Sequence, residues 1–166
     1  MEREFVMIAS IDETDRGILE YLQKNARLTN KQIAKYLGLP KSTVQYRIKR
    51  LEAEGIIKGY RAQIDVKRIG KDYPTFTFIR TKHAMKKYKK VGKLLSEIPG
   101  VSKVYFMAGD YDFIVFSLSY DRKDFMQKLE KIYDIEEVER TNTIIILRTI
   151  KDEAKIDLSE QSRGLI

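Results

Sequence analysis

Residues 29–55 read TNKQIAKYLGLPKSTVQYRIKRLEAEG, and the fold of the amino-terminal third is decided there. Thr29 and Gln32 have the spacing of a capping box, in which each side chain satisfies the other residue's backbone N–H. Leu28 and Ile33 stand where a hydrophobic staple fixes the helix entry. Ile33, Ala34 and Leu37 line one face, and Gly38 supplies a left-handed stop. Leu39-Pro40-Lys41 interrupts the pattern, and a second periodic run extends from Ser42 to Glu54, ended by Gly55. Upstream, Asp12 and Asp15 open an earlier helix whose buried stripe is Ile18, Leu19 and Leu22. Three short helices with a tight turn between the last two outline a helix-turn-helix.

The third of these helices carries the chemistry. At about 100° per residue, Val44, Ile48 and Leu51 fall in one narrow arc and face the other helices. Ser42, Tyr46, Lys49 and Arg50 occupy the opposite arc, with Thr43, Gln45 and Arg47 on its flanks and Lys41 just ahead. Cations suit phosphates, while Gln, Ser, Thr and Arg read base edges in the major groove. The same pattern also fits a plain solvated face, because Lys and Arg usually lie outside. Residues 56–64 look like a turn and an extended strand, where a wing would lie.

Composition narrows the alternatives. Among 166 residues, 43% are apolar and 10% aromatic, enough for folded cores throughout. Lys plus Arg outnumber Asp plus Glu by 32 to 24, a formal charge of +8 that favours a polyanionic partner. The absence of Cys excludes disulfides, thiolate metal sites and thiol catalysis, and a lone His83 excludes a multi-His site. No apolar run is long enough to span a membrane, and Met1 to Ser10 carries three charges where a signal peptide needs an apolar stretch. The expectation is a cytoplasmic protein with no catalytic residues, no metal and no cofactor. Asp110 and Asp112 lack a third oxygen ligand nearby for a cation.

Residues 65–73 are polar, carry Gly70 and lead into Pro74, which marks a hinge. This divides the chain into a DNA-binding domain at 1–64, the hinge, and a second domain at 74–166. Beyond the hinge, strands alternate with helices: strand 75–81, helix 85–98, strand 101–108, strand 112–119, helix 122–133 and strand 138–148. That βαββαβ order is the ferredoxin-like plan, so the expected class is α+β. Ile114, Phe116 and Leu118 alternate with Phe113 and Val115, while Ile145 and Leu147 alternate with Ile144 and Ile146. A sheet apolar on both faces needs a second cover, and another copy of the chain is the simplest supplier. The lysines at 82, 86, 87, 89, 90 and 93 read as the solvated side of an amphipathic helix.

Two motif sets carry a family resemblance. Asp12-Glu13-Thr14-Asp15-Arg16, Leu37-Gly38-Leu39, Arg47-Ile48-Lys49-Arg50-Leu51-Glu52 and Gly55-Ile56-Ile57-Lys58-Gly59-Tyr60 resemble the amino-terminal module of the Lrp/AsnC (feast/famine) transcription regulators. Ile98-Pro99-Gly100-Val101, Gly109-Asp110-Tyr111-Asp112 and Val138-Glu139-Arg140-Thr141-Asn142-Thr143 resemble that family's carboxy-terminal domain. The resemblance covers roughly residues 11–158. It implies double-stranded DNA as partner, homodimers that assemble further, commonly to octamers, and regulation by amino acids or related metabolites. An architectural DNA binder of the same fold without an effector is the alternative.

The resemblance also nominates residues. Lys41, Ser42, Thr43, Gln45, Tyr46, Arg47, Lys49 and Arg50 are the candidates for DNA. Gly109, Asp110, Tyr111, Asp112, Thr141 and Thr143 are those for an effector at a contact between subunits. An amino acid's ammonium needs Asp110 or Asp112, and its carboxylate needs turn N–H groups and threonine hydroxyls. Many members carry Ser where Pro40 stands. Either Pro40 caps the recognition helix without a side-chain acceptor, or the helix starts later with Ser42 and Gln45 as its capping pair, drawn away from DNA.

Overall fold

The three amino-terminal helices form where their caps dictate. The computed structural model describes residues 10–82, 84–152 and 155–158. Helix α1 (Glu13–Lys24) starts at Asp12, whose carboxylate accepts the Asp15 N–H at 2.9 Å while Asp15 accepts the Asp12 N–H at 3.2 Å. Helix α2 (Asn30–Leu37) has the reciprocal bonds between Thr29 and Gln32, and Gly38 ends it at φ 65°. Helix α3 (Lys41–Ala53) begins directly after Pro40, one residue earlier than the sequence suggests, with no side-chain cap. The Pro40 carbonyl accepts from the Val44 N–H at 3.3 Å, so the helical ladder is already running when Ser42 is reached. Ile18, Ile33, Val44 and Leu51 are completely buried between the helices, each contributing about 1.5–3 kcal/mol of apolar burial.

The anticipated wing strand over 56–64 is not formed. Ile56 and Ile57 both donate to the Leu51 carbonyl, at 2.9 and 3.0 Å, and pack on the helical core, and residues 58–65 carry no strand pairing. The two N–H groups that would open a ladder are already spent on the end of α3.

The second unit spans residues 64–152 and holds β1 (Tyr73–Thr81), α4 (Ala84–Ser96), β2 (Val101–Phe106), β3 (Phe113–Ser119), α5 (Arg122–Tyr133) and β4 (Val138–Ile145). Its strands lie in the order β2-β3-β1-β4, antiparallel throughout, which is the ferredoxin-like arrangement. Residues 155–158 cluster with the helix-turn-helix unit. There Gln23 of α1 donates to the Ile156 carbonyl at 3.2 Å and accepts from its N–H at 2.6 Å.

Several elements stop short of their expected ends. Strand β4 ends at Ile145 rather than 148, because Thr75 is the last ladder partner on β1 and Pro74 has no N–H to offer. Only the Ile146 N–H reaches further, to the Pro74 carbonyl at 3.0 Å. Strand β2 ends at Phe106 rather than 108 because residues 107–112 turn, closed by the Met107 N–H on the Asp112 carbonyl at 2.8 Å. His83 lies outside the described residues.

Pairing fixes what each sheet face presents. Thr75, Thr77, Ile79 and Thr81 of β1, with Phe113, Val115, Ser117 and Ser119 of β3, form the buried face. Ile79, Phe113 and Val115 pack there with Val91 and Leu95 of α4 and Ile132 of α5. Thr75 and Ser117 satisfy each other at 2.8 Å across this layer. Phe76, Phe78, Ile114, Phe116, Leu118 and Ile144 share the other face, where the Phe76 and Phe116 rings sit 5.1 Å apart. The face without helices is therefore the more apolar of the two.

Candidate functional site

Helix α3 presents two kinds of cation. Lys41, Ser42, Gln45, Tyr46 and Lys49 are exposed, with Tyr46 at 65%. Their side chains make no hydrogen bond or ion pair among the described residues, and in particular Ser42 and Gln45 do not cap one another. Thr43, Arg47 and Arg50 are only half-exposed. At about 100° per residue these three lie on the flank turned toward α1, while Ser42, Gln45, Tyr46 and Lys49 lie on the other side of the exposed arc.

What occupies that flank is a pair of carboxylates. Asp15 is completely buried. It accepts from the Arg50 guanidinium in a short contact and lies 3.4 Å from Arg47 Nη1, which also bonds Asp12 at 2.5 Å. Arg50 Nε stands 3.7 Å from Glu54 Oε1 and makes no hydrogen bond. The Asp15 N–H and then Arg47 hold the Asp12 carboxyl below its usual range, and the Asp12 carboxylate raises Arg47 in turn. Arg50, placed by helical angle on the outward arc, is in fact committed inward, because the helical wheel cannot see a carboxylate arriving from another helix. The sequence places Asp15 only as a capping partner of Asp12, and its pairing with α3 is what sequence reasoning overlooked. The signal is present: Asp15 sits three residues before Ile18 and seven before Leu22, on the buried stripe.

Beside the exposed arc lies a cleft of about 270 Å³ bordered by Asn30, Gln45, Lys49 and Tyr60. The Tyr60 hydroxyl donates to Glu52 at 2.9 Å, and burial together with that carboxylate pushes the phenol up to about 12. Tyr60 thus remains a neutral donor at every physiological pH.

In the second unit the nominated residues divide. Asp112 is buried, its carboxylate accepting from the Thr81 N–H at 2.7 Å and the Thr81 hydroxyl at 3.1 Å. Thr143 bonds Thr77 at 3.1 Å and Thr141 bonds the Tyr133 hydroxyl at 2.8 Å. Register pairs both threonines with Thr77 and Ile79 on the helix-covered side. These three groups brace the sheet and do not converge with Asp110, because alternate residues of a strand point to opposite faces.

A different set does converge at the turn. Asp110, Arg80, Glu139 and Arg140 line an open cleft of about 310 Å³. Arg80 donates to the carbonyls of Gly109 and Asp110, each at 3.3 Å, and lies 3.7 Å from Asp112. Arg80 and Arg140 are directly opposed across β1 and β4, a like-charge pair that is unfavourable by itself and that the Asp112 carboxylate beside Arg80 offsets in part. Arg140 lies 5.3 Å from the Tyr111 ring centre, so the tyrosine backs one cation of the cleft. Arg80, Glu139 and Arg140 were not among the expected residues; the legible signal for Glu139 and Arg140 is a run of charges in the strand that carries Thr141, whereas Arg80 comes from β1.

No group of three or more metal-ligating side chains occurs among the described residues, and no helix there is long and apolar enough to cross a membrane.

Known proteins supply an independent comparison. Residues 11–58 match the model for winged helix-turn-helix DNA-binding domains, and residues 75–156 match that for the Lrp/AsnC ligand-binding domain. The chain is 33% identical over 146 residues to the HTH-type transcriptional regulator FL11 of Pyrococcus furiosus, covering 88% of this chain and 95% of that one. Among solved structures, AsnC of E. coli aligns with a TM-score of 0.81 at 31% identity, covering 87% of this chain and 97% of that one. An AsnC family transcriptional regulator from Agrobacterium tumefaciens aligns at 0.83 and 26%, covering 89% and 97%. The matched models are those of DNA-binding and ligand-binding domains, and these relatives are transcriptional regulators rather than enzymes. A helix-turn-helix unit carried on the same chain as a βαββαβ domain thus has its counterpart across nearly the full length of these proteins: the chain belongs to the Lrp/AsnC family of transcriptional regulators.

Proposed function

We propose that this regulator reads a specific DNA sequence through α3 and that its DNA binding or assembly responds to an amino acid or related small metabolite. The observation that carries the first half is the arc of Ser42, Gln45, Tyr46 and Lys49, which is exposed and whose side chains make no hydrogen bond or ion pair among the described residues. Gln45 and Ser42 supply base-edge contacts, and Lys41 and Lys49 supply phosphate contacts. Because Pro40 offers no acceptor, the first N–H groups of α3 are left for a phosphate oxygen. A homodimer formed through the apolar open face of the sheet would deliver two such helices to a pseudo-palindromic site, with half-sites one helical turn or a multiple apart. Further assembly to an octamer follows only from the family.

For the effector, we place recognition in the Asp110, Arg80, Glu139 and Arg140 cleft. Asp110 and Glu139 suit an ammonium and the opposed arginines suit a carboxylate. Asp112, Thr141 and Thr143 hold the walls. Ligand binding shifts assembly or DNA affinity only if the two states bind it unequally. The test is a titration of the twenty amino acids against thermal stability, where a ligand at 100 times its dissociation constant adds about 2.7 kcal/mol. A stabilising amino acid should lose its effect in Asp110→Asn and Arg140→Gln and should alter DNA affinity of the unmodified chain. DNA binding that no amino acid changes would leave an architectural binder and overturn the effector reading.

A further inference from the structure

The two arginines of α3 invite assignment as phosphate ligands, and the structure argues otherwise. Arg47 and Arg50 are one helical turn apart on α3, and Asp12 and Asp15 are one turn apart at the start of α1. The four side chains interlock, with Asp15 completely buried beneath the guanidinium groups. A buried carboxylate is tolerated only while its charge is paired and hydrogen-bonded. An arginine that swung out to a phosphate would uncover Asp15. Lys49, by contrast, leaves nothing behind when it moves to DNA.

We propose that Asp15, supported by Asp12, is a specificity-determining positioning residue. It keeps Arg47 and Arg50 out of the phosphate contacts and fixes the rotation of α3, so that the helix meets DNA with Ser42, Gln45, Tyr46 and Lys49. Free arginines at the same place would bind any duplex, since phosphate contacts carry no sequence information. The carboxylate pair gives up that indiscriminate attraction and holds the base-reading side chains in register. This inference rests on the DNA-binding reading above.

The experiment measures affinity of the full chain for two duplexes of equal length across a salt series. One duplex is selected for tight binding from a random pool and the other is unrelated. Each phosphate contact contributes about 0.9 to the slope of log affinity against log salt. Arg50→Gln should leave the slope unchanged on both duplexes, whereas Lys49→Gln should lower it by about 0.9 per protomer. Asp15→Asn should steepen the slope on the unrelated duplex by about 0.9 for each arginine released, and should reduce the preference for the selected duplex. A purely structural salt bridge would change the melting temperature and leave slope and preference as they are.

If Asp15→Asn does not fold, Asp12→Asn takes its place, because Asn caps a helix as well as Asp does and Asp12 touches only Arg47 of the two arginines. It should steepen the unrelated-duplex slope by up to about 0.9. Flattening by Arg50→Gln as large as that by Lys49→Gln overturns the proposal while leaving DNA binding by α3 intact. Unchanged slopes in the aspartate variants also overturn it. An unchanged slope in Lys49→Gln instead overturns the DNA-binding reading itself.

Discussion

Replacing Asp112 by Ala separates a brace from a ligand. The sequence nominates Asp110 and Asp112 alike, but only Asp112 is buried, with both of its bonds directed to Thr81. Truncation removes two hydrogen bonds to a charged acceptor and strands the Thr81 N–H inside the sheet end. A buried donor left unpaired costs about 1–3 kcal/mol, so a total near 2–4 kcal/mol is expected. In a domain of this size, each kcal/mol lowers the melting temperature by about 4–8 °C, giving a fall of roughly 8–32 °C. Asp110 is exposed, so Asp110→Ala should stay within about 0.5 kcal/mol. Asp112→Asn retains one oxygen for the Thr81 N–H and should fall between the two. Calorimetry of the full-length variants, without ligand, measures all three. Equal melting of Asp112→Ala and Asp110→Ala would refute the reasoning, and a loss of ligand response in Asp112→Ala would then need no structural explanation.

Other substitutions test other parts of the structure. Glu137 is buried, and the Lys90 ammonium, the backbone and Lys87 hold its carboxyl down at about 2 against an ordinary 4.5. A depressed folded-state value means stability present above about 4.5 and lost as pH falls toward 2. Acid melts of Glu137→Gln should lack that component, and parallel pH profiles for variant and parent would contradict it. Phe116→Asp puts a carboxylate on the apolar open face beside Phe76 and should yield monomers in sedimentation at micromolar concentration; a parent chain that is itself monomeric there would sink the dimer. Ile145→Asp should be milder, since Ile145 is 46% exposed at the end of an edge strand, and a melting loss equal to that of Phe116→Asp would count against this ranking. Gly100→Ala should destabilise, because at φ 87° its new Cβ would stand 2.2 Å from the buried Lys128 side chain, and an unchanged melt would show that Lys128 moves aside freely.

Local chemistry made much of this fold legible. The caps at Asp12, Thr29 and Gly38 involve residues three or four apart, so spacing alone reveals them. The same holds for the alternation in β3, which separates Phe113 and Val115 from Ile114, Phe116 and Leu118. What escaped involves partners distant in sequence. Asp15 and Arg50 are 35 positions apart and Asp112 and Thr81 are 31 apart. Thr141 and Thr143 were grouped with Asp110 by motif, but the cross-strand register that turns them to the helix side is set by β1, which the motif does not contain. The start of α3 had two readings because a proline cap leaves no side-chain signature, and only the Val44 bond to the Pro40 carbonyl decides between them.

The central claim is that α3 reads DNA through its open arc, and selection of duplexes from a random pool tests it most directly. The unmodified chain should select a pseudo-palindrome with half-site centres about 10 base pairs, or a multiple, apart. Gln45→Ala should change which bases are enriched within each half-site while leaving their spacing unchanged. Sequences without two-fold symmetry, enriched identically by the parent chain and by Gln45→Ala, would contradict the account.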